Sequence, residues 1–424
     1  MPRVEVSGER RVSVGTVTSP RGNGTSADLA IVGAGILGLA VARASLLRQP
    51  GLRVRIFEKE PQIASHQTGH NSGVIHAGVY YAPGSLKARL CVEGSGELYA
   101  YCDENGIPYE RCGKVVVATS DEELPRLEEL HRRATANGVP GLEFLDPGEL
   151  AEVEPNVAGV RALYSPATGI VDFRRIARAF ADDVTRLGGE IVTGSPVLGI
   201  RAGDVAKLST PTGTCRAKTI ITCAGTYSDR LARMTGAPPF PKIVPFRGRY
   251  WSLRPGARGL VRGLVYPVPD PDFPFLGVHF TKRISGDVWT GPNAVLAFSR
   301  EGYGWRDIDV RDLSETLSYS GFRRLAARYW RTGAAEMRGD LSKRAFARSL
   351  QRLVPRVTLG DLADSHAGVR AQALAEDGSL LDDFWFDHAE NVVHVRNAPS
   401  PGATSSLALA REILRVAEPA LMAG

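Results

Sequence analysis

Three glycines near the N-terminus are the first residues whose spacing points to chemistry. Gly33, Gly35 and Gly38 give the pattern G-x-G-x-x-G, and Glu58 follows 25 positions after Gly33. Glycines so spaced allow a tight turn and let a pyrophosphate approach backbone N–H groups at a helix N-terminus, while an acidic residue can accept from a ribose hydroxyl. We predict a dinucleotide site here, with Ile36 and Lys59 among its residues.

A second stretch, 67–81, is rich in glycine and holds two His and two Tyr. It has no helical or strand period, so we expect its backbone to contact a ligand closely; the alternative is a glycine-rich surface loop. The ligand-binding residues predicted in it are Thr68, His70, Asn71, Ser72 and Gly73.

The elements that position these residues follow from hydrophobic periodicity. An apolar run at 29–33, a helical pattern through Leu47 and a second run at 54–57 predict a β-α-β unit. Asp172 is a plausible N-cap for a helix that stops at Gly188, and strands are predicted at 190–193 and 219–223. Strands that alternate with helices predict one parallel sheet assembled from separated segments.

Three features favour FAD over NAD as the dinucleotide. There is one such fingerprint, it lies near the N-terminus, and the strand that runs into Ala224 and Gly225 resembles the strand beneath FAD in two-dinucleotide-fold flavoproteins. Val197 stands where such proteins hold the adenine by backbone contacts, although a plain core valine is the alternative.

The chain therefore reads as α/β, with a Rossmann-like FAD-binding domain and an inserted α+β substrate domain. The predicted FAD-binding portion is discontinuous, and the substrate domain contains a largely antiparallel sheet and a helical stretch at 307–355. We assign 27–115, 165–235 and 360–424 to FAD binding, 116–164 and 236–359 to the substrate domain, and 1–26 to a flexible extension.

The amino-acid composition limits the kinds of binding partner and the cellular compartment that we expect. The net charge of +6 comes from 44 Arg and 8 Lys without a basic run, which argues against nucleic acid and suits a small anionic substrate. Five Cys without C-x-x-C spacing argue against a zinc site or a disulfide framework and favour a reducing compartment, so we predict a cytoplasmic protein and no metal. Glu5 and Glu9 make a mitochondrial transit peptide the less favoured alternative.

Several strings resemble the L-2-hydroxyglutarate dehydrogenase/oxidase family, within the wider D-amino-acid oxidase and glycerol-3-phosphate dehydrogenase group. They are HQTGHNSGVIHAGVYY, PGSLKA, CGKVVVATS, TGIVDFR, IVPFRGRYW, YPVPDPDFPFLGVHFT, GPNAVLAFSREGY, AGVRAQA and RNAPSPGATSS, and they span about residues 27–418. Gly402 stands where the family pattern leads us to expect Ala.

The resemblance implies FAD-dependent oxidation of (S)-2-hydroxyglutarate to 2-oxoglutarate, with hydride passing from C2 to flavin N5. The hydroxyl proton then needs a base of near-neutral pKa, which favours His. His76 is the first candidate, because its NSGxxHxG spacing resembles the flavin-adjacent His of glycerol-3-phosphate oxidases, and His279 is the second. We expect His70 beside the flavin and the FAD to be bound non-covalently.

A dicarboxylate substrate also needs cations and hydrogen-bond donors. Arg370 in Gly-Val-Arg resembles the Gly-Leu-Arg by which amine-oxidising relatives hold a carboxylate, and Arg247 is the second candidate, with a structural ion pair as its alternative. Tyr80, Tyr81 and Tyr266 are candidate hydrogen-bond donors, with aromatic packing as the alternative for each. The loop that includes Gly402, Ala403 and Thr404 is predicted to contact the flavin, with backbone N–H groups that stabilise negative charge on its pyrimidine end.

The electron acceptor stays open among quinone, an electron-transfer flavoprotein and oxygen. Arg and aromatic residues at 322–331 could contact a membrane surface at the inner face of the cell membrane, or form a solvated helical face. Alternative activities are oxidation of another 2-hydroxy acid, an amino acid or glycerol 3-phosphate, or a flavin-bound adaptor with a vestigial site.

Overall fold

A computed structural model of the protein describes residues 25–270 and 277–422, so the extension predicted at 1–26 lies almost wholly outside the described residues. The described strands, numbered in chain order, are β1 Thr25–Val32, β2 Val54–Phe57, β3 Val74–Ile75, β4 Tyr109–Glu110, β5 Lys114–Ala118, β6 Glu143–Leu145, β7 Arg161–Ser165, β8 Gly169–Val171, β9 Glu190–Val192, β10 Gly199–Arg201, β11 Ala206–Thr210, β12 Gly213–Thr222, β13 Lys242–Leu253, β14 Leu264–Pro267, β15 His279–Lys282, β16 Val288–Gly291, β17 Val295–Leu296, β18 Leu362–Leu374, β19 Trp385–Ala389 and β20 Val392–Asn397. The described helices are α1 Ile36–Arg48, α2 Leu86–Glu104, α3 Leu124–Ala136, α4 Pro147–Val153, α5 Phe173–Arg186, α6 Ser228–Arg233, α7 Val310–Ser318, α8 Ser320–Leu341, α9 Lys343–Gln351 and α10 Ser406–Met422.

The first sheet is the predicted parallel sheet. Its parallel strands run in the order β9, β2, β1, β12 and β20, with β19 antiparallel at the edge and the β10–β11 hairpin beside the first half of β12. Helix α1 contacts both α5 and α10, and these helices share one apolar core with strands β1 and β2. The β-α-β unit and the α/β fold class are therefore confirmed, and Asp172 caps α5 by accepting from the backbone N–H of Arg174 at 2.9 Å.

The second sheet is largely antiparallel, as predicted. It runs β17, β13, β16, β15, β14, β5, β7 and β6, with β18 on the other side of β13 and a parallel pairing between β14 and β5. Helices α8 and α9 pack on it, with Phe346 and Leu350 of α9 in its core. A small third sheet joins β3, β8 and β4, and β3 brings the 67–81 stretch between the two large sheets.

Two elements differ from the sequence predictions. Strand β18 pairs with β13 along its length, so residues 362–374 belong to the second sheet, not to the FAD-binding portion that we began at residue 360. Helix α2 had not been predicted, because Gly94 and Gly96 interrupt its helical pattern. A Cβ on Gly94 would lie 2.8 Å from Cα of Ser405, so glycine here lets α2 approach the start of α10.

No described helix is long and apolar enough to cross a membrane. All five cysteines are free thiols.

Candidate active site

A cavity of about 1200 Å³ extends from the glycine-rich turn after β1 to strands β15 and β18 of the second sheet. It collects most of the predicted site residues, which come from both large sheets and the 67–81 stretch. Those that line it are Gly33, Gly35, Ile36, Glu58, Lys59, Thr68, His70, Asn71, Ser72, His76, Tyr80, Tyr81, Val197, Ala224, Gly225, Tyr266, His279, Arg370, Gly402, Ala403 and Thr404. Three predicted residues lie outside the lining: Gly38, Gly73 and Arg247.

The glycine-rich turn has the shape of a phosphate cradle. Gly33 has φ +102°, and a Cβ there would lie 2.5 Å from the carbonyl oxygen of Cys223. A Cβ on Gly38 would lie 1.9 Å from the carbonyl oxygen of Gly33, so Gly38 serves the close packing of α1 against the turn. The N-terminus of α1 therefore opens on the cavity, where Gly33 and Gly35 present backbone without side chains and the Ile36 N–H donates to Oγ1 of Thr68 at 3.0 Å.

Glu58 holds this turn as well as facing the cavity. Its buried carboxylate accepts from the backbone N–H of Ala34 at 2.8 Å and from that of Glu60 at 3.0 Å. The neighbouring Lys59 is engaged by acidic groups: it makes close ion pairs with Glu60 and Glu301. Its ammonium is therefore balanced within the protein and adds no net charge to the cofactor site.

Among the described residues, Glu60, His66 and Glu301 form the one cluster whose ligand atoms lie close enough to share an ion. The Lys59 ammonium contacts all three side chains, including Nε2 of His66 at 2.9 Å. A cation of the protein already stands where a metal ion would have to bind.

Hydrogen bonds tie the 67–81 stretch to its surroundings. Nδ1 of His70 lies 3.2 Å from the carbonyl oxygen of Ala367, and its ring stacks on Tyr303 with centroids 4.4 Å apart. Asn71 donates to the carbonyl oxygen of Thr68 at 2.7 Å, which holds a turn. Gly73, with φ +73°, packs against Arg283 behind this turn, which explains why it does not line the cavity.

His279 on β15 has a defined tautomer. Its Nδ1 lies 2.9 Å from the carbonyl oxygen of Gly277, an acceptor, so Nδ1 carries the proton and donates. The ring stacks on Tyr266 at 3.9 Å between centroids. Burial lowers the pKa of His279 to about 3, and the positive charges of Arg370 and Lys114 act in the same direction. The imidazole is neutral at pH 7, with Nε2 as a proton acceptor.

His76 is held differently. Its backbone N–H donates to Oγ1 of Thr404 at 3.1 Å, which links the stretch to the loop before α10, and its Nε2 lies 3.4 Å from Oγ of Ser400. Its Nδ1 is buried without a hydrogen-bond partner among the described residues. Burial lowers the pKa of His76 well below its usual value, so this imidazole is neutral too.

Arg370 and Arg247 have different surroundings. Arg370 lines the cavity from β18, and its charge acts on Tyr250, Tyr266 and His279. Arg247 is buried, and its Nη2 lies 2.7 Å from Oδ2 of Asp340, in the structural ion pair that was the alternative interpretation. The guanidinium is thus committed to a buried carboxylate, which favours the structural ion pair over a role in holding substrate.

The tyrosines form part of the cavity wall. Tyr80 and Tyr266 stack at 6.4 Å between centroids, and the hydroxyl of Tyr80 is buried without a partner among the described residues. The ring of Tyr81 faces the ammonium of Lys87 at 5.4 Å. A ligand that accepts a hydrogen bond would satisfy the Tyr80 hydroxyl.

The loop before α10, residues 398–405, forms the remaining part of the cavity wall. Gly402 donates its backbone N–H to the carbonyl oxygen of Pro399 at 2.7 Å, so this N–H is used within the loop. The Thr404 hydroxyl donates to the carbonyl oxygen of Val74 at 3.3 Å. The predicted stabilisation of flavin by this loop therefore cannot come from the Gly402 N–H.

Two cations beside the site were missed at the sequence level. Lys87 lines the cavity and pairs with Asp382 at 2.7 Å. Lys114 is 1% exposed, and its ammonium lies 4.6 Å from the ring centroid of Tyr266 and 4.9 Å from that of Tyr80. The Lys of CGKVVVATS sits in an otherwise apolar strand, and that placement was the available signal.

The cradle, the Glu58 carboxylate and a cavity of this size fit a dinucleotide with room for a small substrate. A family model described as FAD dependent oxidoreductase matches residues 28–415.

Curated relatives are similar in sequence to most of the chain. The mitochondrial L-2-hydroxyglutarate dehydrogenase of Nematostella vectensis is 49% identical over 91% of this chain and 89% of its own length. The human mitochondrial enzyme of that name is 46% identical over 91% of this chain and 87% of its own. The L-2-hydroxyglutarate dehydrogenase of Indibacter alkaliphilus is 47% identical over 89% of this chain and 96% of its own length.

Solved structures share the fold. L-alpha-glycerophosphate oxidase from Mycoplasma pneumoniae with FAD bound is 24% identical with a TM-score of 0.75, over 93% of this chain and 95% of that one. Glycine oxidase from Geobacillus kaustophilus is 21% identical with a TM-score of 0.69, over the same shares.

Proposed function

The chain belongs to the L-2-hydroxyglutarate dehydrogenases of the FAD dependent oxidoreductase family, and from this premise we propose that it oxidises L-2-hydroxyglutarate to 2-oxoglutarate with FAD as its cofactor. The observation that carries the proposal is the meeting of Arg370 with two neutral imidazoles, His76 and His279, in the cavity that begins at the glycine-rich turn. A carboxylate-binding fork and a neutral base are what a 2-hydroxy acid needs beside a hydride acceptor.

Gly33, Gly35 and Glu58 would hold the dinucleotide, and FAD supplies a two-electron acceptor at flavin N5 when bound. Arg370 pairs with the substrate carboxylate next to C2, because its planar fork matches the two carboxylate oxygens. That pairing orients the C2–H bond and leaves the hydroxyl to the imidazoles.

A neutral imidazole removes the hydroxyl proton as hydride leaves C2. His76 remains our first candidate for the base, because the resemblance places its spacing beside the flavin; Ser400 and Thr404 support that position. His279 is the alternative, with Nε2 as an acceptor and its orientation fixed by Gly277 and Tyr266. Burial keeps both imidazoles unprotonated at pH 7, and it holds their pKa below the near-neutral value expected of a base. The negative charge of a bound substrate beside them would raise that pKa.

The experiment is anaerobic reduction of the purified yellow protein. We expect L-2-hydroxyglutarate to bleach the flavin rapidly, and D-2-hydroxyglutarate, glycerol 3-phosphate, lactate and amino acids to do so at least 100-fold more slowly. Bleaching by one of the other compounds instead would move the activity to that substrate. No bleaching by any small acid would favour the adaptor with a vestigial site.

The electron acceptor is tested in the same cuvette. Adding a soluble quinone, an electron-transfer flavoprotein or oxygen to the bleached protein shows which reoxidises it fastest. We propose no choice among them. A cytoplasmic location also remains a proposal, and residues 322–331 either contact a membrane surface or, as we favour, form a solvated helical face. The animal relatives carry a mitochondrial designation and the Indibacter relative does not.

A further inference from the structure

Lys114 is a buried cation that no carboxylate of the described residues pairs with. It is 1% exposed at the start of β5, and the titratable groups of the described residues that act on it are the thiols of Cys91 and Cys112. Burial lowers the pKa of Lys114 to about 8. A lysine is seldom fully buried unless it is paired, and the described residues offer this ammonium no carboxylate, so a bound anion would compensate its charge.

The face of β5 that carries Lys114 is turned toward the site. Side chains alternate along a strand, which puts Lys114 on the same side as Val116 and Ala118. Those two residues pack in one core with Tyr266 and against Tyr80, both of which line the cavity. The ammonium therefore stands directly behind this tyrosine pair, outside the lining itself.

Lys114 and Arg370 lie on opposite sides of the reacting groups. In the second sheet, β15 with His279 and β14 with Tyr266 stand between β18 and β5. Both positive charges lower the pKa of His279, as charges close to this imidazole would. A short dicarboxylate that lies over the stacked His279 and Tyr266 rings would have a positive charge at each end.

We propose that Lys114 is a specificity-determining residue that selects a dianionic substrate by supplying the positive charge for the carboxylate remote from C2. This inference rests on the proposed function of the site. Lys114 acts across the tyrosine pair without touching substrate. The charge of Arg247, the second carboxylate-binding candidate from the sequence, is already neutralised by Asp340.

The test compares ligands with one and two carboxylates on the FAD-loaded protein. Glutarate and butyrate cannot be oxidised at a hydroxyl, and their binding can be followed by the perturbation of the flavin absorption band. We expect Lys114→Met to weaken glutarate binding roughly 10- to 100-fold, the effect of one nearby charge in a partly buried site, and butyrate binding less than threefold. Lys114→Arg should restore part of the glutarate affinity, since it keeps the charge. Lys282→Met, in the same sheet but paired with Glu110, is the matched control and should leave both affinities unchanged.

Equal losses for glutarate and butyrate, or none for either, would overturn the inference. If Lys114→Met does not fold, the wild-type protein still decides it. Glutarate affinity should fall as pH rises from 7 to 9.5 while butyrate affinity stays flat, because loss of the Lys114 proton removes the second charge. Among its neighbours, His76 and His279 are already neutral, burial raises the pKa of Cys91 and Cys112 to about 12, burial raises the pKa of Tyr80 and Tyr266, and Lys87 is paired with Asp382.

A glutarate affinity that does not change over this pH range would refute the role of Lys114. The proposed function fails separately, if L-2-hydroxyglutarate does not bleach the wild-type flavin.

Discussion

Replacing Arg247 by Ala should destabilise the protein and leave substrate binding almost unchanged. The guanidinium makes a buried ion pair with Asp340, whose side chain is 0% exposed, and Asn293 donates to the other carboxylate oxygen at 2.8 Å. Removing one partner of a buried pair leaves an uncompensated charge and costs about 3–5 kcal/mol. We therefore expect the free energy of unfolding to fall by about that amount, measured by urea denaturation of the FAD-loaded protein.

The size of the stability loss depends on the Asp340 carboxylate, which is left without its cation, and a double variant provides the control. The double variant Arg247→Met/Asp340→Leu removes both charges and should recover most of the lost stability, because apolar residues of similar volume can replace a buried pair at little cost. Residual loss of about 1 kcal/mol is expected, since the Asn293 amide then lacks its acceptor.

Kinetics separate the two arginines. At a temperature where each variant is folded, Arg247→Ala should keep kcat/KM for L-2-hydroxyglutarate within about threefold of wild type. Arg370→Ala should keep the wild-type free energy of unfolding. Its kcat/KM should fall about 10- to 200-fold, the effect of losing one charge-assisted Arg–carboxylate pair, and Arg370→Lys should recover part of that loss. An Arg247→Ala protein as stable as wild type but with a kcat/KM lowered tenfold or more would refute the structural assignment.

Three further expectations concern the cofactor, the base and acid stability. Heat or acid should release free FAD from the yellow protein, and flavin that stays with the precipitate would instead indicate a covalent link, with His70 or His66 the first side chains to examine by peptide mapping. His76→Ala should retain FAD and slow anaerobic flavin reduction by about 10²–10⁴-fold, the usual contribution of a general base, and an unchanged rate with a slow His279→Ala protein would move the role to His279. Burial lowers the pKa of His279 to about 3 and that of His394 to about 4, from an ordinary value of 6.5, so the unfolded chain binds more protons below pH 6.5. The melting temperature should therefore fall as the pH is lowered from 6.5 toward 4, and His394→Gln should flatten that fall; equal slopes in the two proteins would contradict the assignment.

The cofactor half of the molecule could be predicted because its signals are contiguous in sequence. Gly33, Gly35 and Glu58 lie within one β-α-β unit, and a local backbone path brings the glycine turn and the acidic residue together whatever the rest of the chain does. The same holds for the Asp172 cap of α5. Helix α2 could not be predicted from its local pattern, because glycines interrupt that pattern. Glycine is needed at position 94 because α2 packs closely against the distant start of α10.

Tertiary structure decided which positively charged side chains are neutralised within the protein and which face the cavity. The sequence identified a flavin fold, its family and a set of candidate His and Arg residues, since motifs of adjacent residues encode these. It could not distinguish Arg247 from Arg370, because the carboxylate that neutralises Arg247 lies 93 residues away on α8. The apolar strand around Lys114 was a local signal, but the burial of this lysine behind Tyr80 and Tyr266 arises only when β5 pairs with β14 about 150 residues later. The energy of a buried charge depends on which groups surround it in space, and that arrangement exists only in the folded chain.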